Sequence, residues 1–196
     1  MLGIAKTYEL YPQLGNHKLL AELRWGNRYF LNMQEPDGYI MNYVGGDVQK
    51  HSDSNRWTDN ETGSFEEGEP YFTKPNAGKS KADMLIIGTK DDRVIKTTPL
   101  DLMGQYNFIA SEAIVARIAK ETDPDYSARC LDAAEKCLTW CKKSDKALNP
   151  GTIGASIQAA LELYKTTGNV NHKEYAITQA TLLQSFRETG NAQGIS

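Results

Sequence analysis

No run of apolar residues in this chain approaches the roughly 20 that a membrane-spanning helix needs, so no span is expected. An excess of charge of one sign is missing too. The 22 Lys and Arg are interspersed with 25 Asp and Glu, for a formal net charge of -3. That leaves neither a basic footprint for nucleic acid nor a polybasic membrane anchor. The opening residues MLGIAKTYELYPQ lack the basic head and cleavage site of a signal peptide. By this reading the chain either stays in the cytoplasm or has its natural start upstream.

Cysteine is scarce. All three lie in CLDAAEKCLTWC, as Cys130, Cys137 and Cys141. Their spacing puts them on one face of a helix, where the backbone holds them too rigidly apart to close a disulfide easily. A metal site would need a fourth ligand and a chelating turn, and neither is near. They read as small buried apolar side chains. No metal and no cofactor is expected.

What the chain has is enough apolar residue, 40% of 196, for one sizeable core, and strong helix punctuation. The first dozen residues read as one helix. Residues 16–33, NHKLLAELRWGNRYFLNM, start at a cap, Asn16, and carry Leu19, Leu20, Leu23, Phe30 and Met33 at helical spacing. A third helix is expected after Thr98 as cap and Pro99 in the first turn, a fourth after Asp123-Pro124, and a fifth from Asn149-Pro150 to Gly168. A sixth is expected from Asn171 to about Thr189, stopping at Gly190. Short links make these three antiparallel hairpins. Residues 34–98 break the pattern with a long inserted loop, in which GYIMNYV reads as a strand and DMLIIGTKDDRVIK as a β-hairpin turning at Lys90 to Asp92.

Several motifs in the loop resemble sites without becoming one. GKS at 78–80 lacks the earlier glycine of a phosphate loop, having Thr73 in its place. NET at 60–62 fits a glycosylation acceptor only in a secreted chain. Glu66, Glu67 and Glu69 read as a solvated acidic stretch rather than an acid–base pair. Trp25 and Trp140, at helical positions, read as core.

The stretch LLAELRWGNRYFLNMQEPDGYIMNYVGG, followed by a histidine and a tryptophan in HSDSNRW, resembles glycoside hydrolase family 9, the endoglucanase family, whose pattern is DE.RWG.D.LLKMQ, then DGG.Y..VG, then H...W. The likeness continues through QYNFIASEAIVARIAKETDPDYSARCLDAAEKCLTW and ELYKTTGN, and so covers nearly the whole chain. It implies an all-α fold of helical hairpins forming about half of an (α/α)6 toroid, with residues 1–196 as a single partial domain. It also implies a β-1,4-glucan as partner, and export from the cytoplasm as localisation. The family's water-activating aspartates lie upstream of the matched stretch and its general acid beyond it. An inverting glycosidase needs two carboxyl groups about 6.5–9.5 Å apart, so none is expected as catalytic here. Gly154, Ala155 and Gln158 stand where relatives carry a calcium-linked Asp-Glu pair and a sugar-stacking tryptophan, which puts both in doubt.

By the same resemblance, His51 and Trp57 line the substrate cleft: an aromatic ring packs on a sugar's apolar C–H face, and an imidazole serves its hydroxyls. The alternative makes Trp57 a plug and His51 a surface residue. Gln105 and Tyr106, at the head of the third helix, fit the same rim, and Tyr106 fits the core equally. Two function classes remain: a β-glucan hydrolase segment, inactive alone and prone to self-associate through exposed helix faces, or a non-catalytic helical-hairpin scaffold binding a glycan or a protein.

Overall fold

The computed structural model describes residues 1–11, 17–45, 85–86, 89–90, 94–144 and 148–192. The chain forms two compact units, one of Met1–Ile40 with Asp101–Ser196, the other Met41–Leu100. Among the described residues the first holds six helices: α1 (Leu2–Leu10), α2 (His17–Asn32), α3 (Leu102–Ala119), α4 (Pro124–Lys143), α5 (Pro150–Thr167) and α6 (Val170–Ala192).

Caps set four of the helix boundaries. The Asp123 carboxylate accepts from Tyr126 N–H at 3.2 Å and Pro124 opens α4, where its missing N–H costs nothing. Asn149 does the same for α5 through Thr152 N–H at 2.9 Å. That helix ends on Gly168, whose φ of 70° a side chain would strain, and whose N–H closes on the Tyr164 carbonyl. Two boundaries differ from expectation. Asp101, not Thr98, caps α3, accepting from Gly104 N–H at 2.7 Å. Thr98 precedes a proline and is therefore pushed toward extended backbone, and it falls with Pro99 in a strand. At the other end α6 runs through Gly190 to Ala192. A glycine costs a helix only about 1 kcal/mol and ends one when it takes positive φ, which among the described residues Gly38 and Gly168 do.

Helix α3 is the centre of this unit. Its sequence, LMGQYNFIASEAIVARIA, has almost no polar face, and most of its residues are buried. It packs against α1, α4 and α5, and α5 packs against α6. Helix α4 turns Cys130, Ala134, Cys137 and Cys141 inward. All three cysteines are free and buried as expected, and burial pushes the Cys130 and Cys137 thiols well above their ordinary range.

In the second unit, β1 (Met41–Gly45) pairs antiparallel with β4 (Val94–Pro99), with an irregularity in register between Met41 and Tyr43. β2 (Leu85–Ile86) pairs with β3 (Thr89–Lys90). The expected hairpin is present in shortened form. Lys90 pairs with Leu85, so the turn lies before Lys90, and the apolar run after it joins β1 instead. That longer ladder satisfies more backbone groups than a local hairpin would.

Two glycines give opposite expectations. At Gly38, with φ of 103°, an added Cβ would sit 2.5 Å from the Lys136 carbonyl oxygen, whereas at Gly154 within α5 nothing lies within 4 Å. In urea unfolding, Gly38→Ala should cost more than about 1 kcal/mol. Gly154→Ala should instead stabilise the chain by about 0.5–1 kcal/mol.

Candidate functional site

Of the four residues expected at a substrate cleft, His51 and Trp57 lie outside the described residues, as do Glu66, Glu67 and Glu69. Gln105 and Tyr106 occupy the first turn of α3, one residue apart, and both are inside. Gln105 is 0% exposed. Its Oε1 accepts from Ile40 N–H at 2.8 Å, and its Nε2 donates to the Ile40 carbonyl at 2.9 Å. A neighbouring β-strand would make the same two bonds. The Cys137 thiol lies 3.3 Å from Oε1. Tyr106 is 2% exposed, and its hydroxyl meets that of Tyr175 at 2.8 Å. Burial first, and then that hydrogen bond, raise the Tyr106 phenol far above its ordinary value, so it stays neutral. Tyr175 in turn carries the Lys142 ammonium 4.5 Å over its ring. Both expected cleft residues thus spend polar atoms on the protein's own groups.

What Gln105 holds is the end of a locked turn. Gln34 donates from one amide nitrogen to the carbonyls of Gly38 and Ala133, each at 2.8 Å, tying residues 34–38 to α4. Glu35 N–H bonds the Tyr39 carbonyl and Gly38 N–H the Glu35 carbonyl, each at 2.8 Å, and Gln34 bridges to Ile40. The Tyr39 ring packs on Trp140 at 5.4 Å. Ile40 then leads directly into β1 and the segment that contains His51 and Trp57.

A second polar constellation was not anticipated. Glu112 on α3 is 0% exposed. Its Oε2 lies 3.1 Å from the Asn27 amide nitrogen of α2, which also reaches the Tyr126 hydroxyl at 2.7 Å and Cys130 Sγ at 3.4 Å on α4. Burial drives the Glu112 carboxyl from 4.5 up to about 8, against the opposing pull of Asn27, Cys130 and Arg129. Two sequence signals mark it: Asn27 falls on the buried face of α2 that Leu23 and Leu31 share, and Glu112 is the sole charge in FIASEAIVA. Trp25 corrects the expectation of a core residue. It is 66% exposed, because two residues past Leu23 the helix has turned to the opposite side.

Among the described residues, no three His, Cys, Asp or Glu side chains converge as a metal-binding set. Gly154, Ala155 and Gln158 all lie within α5.

A family model described as "Glycosyl hydrolase family 9" matches residues 1–194. No curated protein matches the chain. Among solved structures, a metagenome-derived glycoside hydrolase family 9 endoglucanase superposes with a TM-score of 0.61 at 20% identity, over 91% of this chain and 32% of its own. A Bacteroides ovatus family 9 protein gives 0.53 at 24% identity, over 91% of this chain and 34% of its own. The chain thus shares the fold of these structures and spans about a third of their length.

The geometry predicts very different costs for two residues. Gln105→Leu strands the buried Ile40 N–H and carbonyl and should cost about 2–4 kcal/mol in chemical denaturation. Trp25→Ala, on open surface, should stay within about 0.5 kcal/mol of the parent.

Proposed function

Because the chain belongs to glycosyl hydrolase family 9, we propose that it forms part of the substrate cleft of a hydrolase acting on β-1,4-glucan. In this reading residues 1–196 are one partial toroid domain with an inserted loop at 34–98, most of which follows Ile40. Trp57 supplies a stacking face for a sugar ring and His51 a hydrogen-bonding partner for its hydroxyls. Gln105 and Tyr106 act one step back: Gln105 fixes Ile40, from which the loop departs, and Tyr106 ties the head of α3 to α6 through Tyr175. The carboxyl groups that cleave the glycosidic bond come from outside this stretch.

The observation that carries the reading is the family match across residues 1–194. The doubly hydrogen-bonded Ile40 supports it, because a cleft loop must leave its scaffold from a fixed point. The exposed side chains of Trp25, Val170, Ile177 and Phe186 support self-association through helix faces, which sedimentation velocity reads as a concentration-dependent increase in size.

Calorimetric titration with a cello-oligosaccharide tests the binding role. Affinity should be about millimolar, roughly 4 kcal/mol, and Trp57→Ala should remove most of it while the helical circular dichroism is unchanged. The chain alone should release no reducing sugar from carboxymethylcellulose. Loss of fold in Trp57→Ala, or no binding by the parent, would favour the helical-scaffold alternative.

A further inference from the structure

Glu112 is the one carboxyl group among the described residues that is wholly buried without a Lys or Arg ion pair. Glu162, the other buried carboxylate, is held by Arg117 and Lys165, which lower its proton affinity despite the burial that opposes them. Around Glu112 the partners are neutral. From α2 comes the Asn27 amide, and from α4 come the Tyr126 phenol, the Cys130 thiol and, further along, the Cys137 thiol. Burial raises the phenol and both thiols above their ordinary values, so none of the three is charged near neutral pH. Arg129 on α4 acts at a distance, opposing the effect of burial without overcoming it. Arg24 on α2 is committed elsewhere, lying 5.0 Å from the centre of the Tyr126 ring and pairing with Asp123 at 3.1 Å. From α1 and α5, Glu9, Lys6 and Glu162 gather on one another and on Arg117, further along α3.

A charge placed in that setting has the Asn27 amide, the weak donor of the Cys130 thiol and the distant Arg129 to set against burial, and burial outweighs them. Asn27 Nδ2 has two hydrogens and faces three acceptors, Glu112 Oε2, Tyr126 Oη and Cys130 Sγ. Oε1 of Glu112 and Oδ1 of Asn27 are both buried without a hydrogen-bond partner. An ionised carboxylate would leave a full charge with half its acceptor capacity unmet, whereas a neutral acid leaves only a weaker polar group so placed. Asn27 is also the residue through which α2 reaches both α3 and α4 in this cluster.

We propose that Glu112 is a neutral acid that locks α2 onto α3 and α4, and that loss of its proton to solvent releases the lock. The inference is independent of the sugar-cleft reading. The direction of the pH effect follows from linkage. The unfolded chain gives up this proton near 4.5 and the folded chain holds it to about 8. Between those values the folded state binds the extra proton. Stability therefore falls as pH rises through the window, by about tenfold per pH unit in the folded-to-unfolded ratio, and levels off above about 8. The full contribution is present below 4.5.

The test is urea unfolding of the full chain and of Glu112→Gln, which keeps the shape and cannot ionise, at a series of pH values from 5 to 9. The ratio of their stabilities should shift in favour of Glu112→Gln by about tenfold per unit up to about 8, with amides of α2 exchanging faster in the parent at the alkaline end. Parallel profiles would overturn the proposal. Infrared spectroscopy of the parent gives a reading even if Glu112→Gln does not fold. A protonated carboxyl stretch at pH 7 that disappears on approaching pH 9 is the expected result, and a carboxylate spectrum throughout overturns it. Asn27→Asp sets a second acid beside the first and should extend that protonated signal to higher pH. An unchanged signal would count against direct contact between the two side chains.

Discussion

The near-complete burial of α3 is the constraint from which the rest of the helical unit follows. A helix with almost no solvent face leaves few places for a polar side chain to go except onto a neighbour. Three of its side chains obey that rule in three directions. Gln105 takes the backbone of Ile40, Glu112 meets Asn27 of α2, and Arg117 joins Glu9 of α1 to Glu162 and Thr166 of α5. Apolar packing brings the neighbours in. The polar contacts fix which residue of each neighbour sits where, because a slipped register would bury those groups unpaired.

Much of this architecture is legible in the sequence, and the legible parts share a cause. Asp123-Pro124 and Asn149-Pro150 mark helix starts and Gly168 a helix end through interactions within four residues, so the letters alone suffice. Thr98-Pro99 has the same form and misleads, because whether it opens a helix depends on β1, far away in the chain, which claims it for a strand. The hairpin turn is displaced for the same reason: β4 finds its partner in Met41–Gly45 rather than next door. Local chemistry reads from sequence; competition between distant partners does not.

The candidate site divides along the same line. The place of Gln105 and Tyr106 at the head of α3 is legible in the sequence, but their hydrogen bonds are to Ile40 and Tyr175, which sequence spacing does not bring near them. Trp25 looked like core by residue type and faces solvent by helical phase. Asn27 and Glu112 carried a usable signal, a polar residue on an apolar face, which says that a partner exists without saying which. His51 and Trp57, on which the proposed sugar-binding role depends, lie outside the described residues; family membership and side-chain chemistry point to them.

The central claim is that α3 is the anchor and that other elements are held to it. Native-state hydrogen exchange measures this directly. The account predicts that amides in the middle of α3, from Phe108 to Ala116, share the highest protection in the chain and exchange only through global unfolding, while α6, whose exposed residues are many, opens at lower free energy. Amides of α3 that exchange by local opening, faster than those of α6, would contradict it.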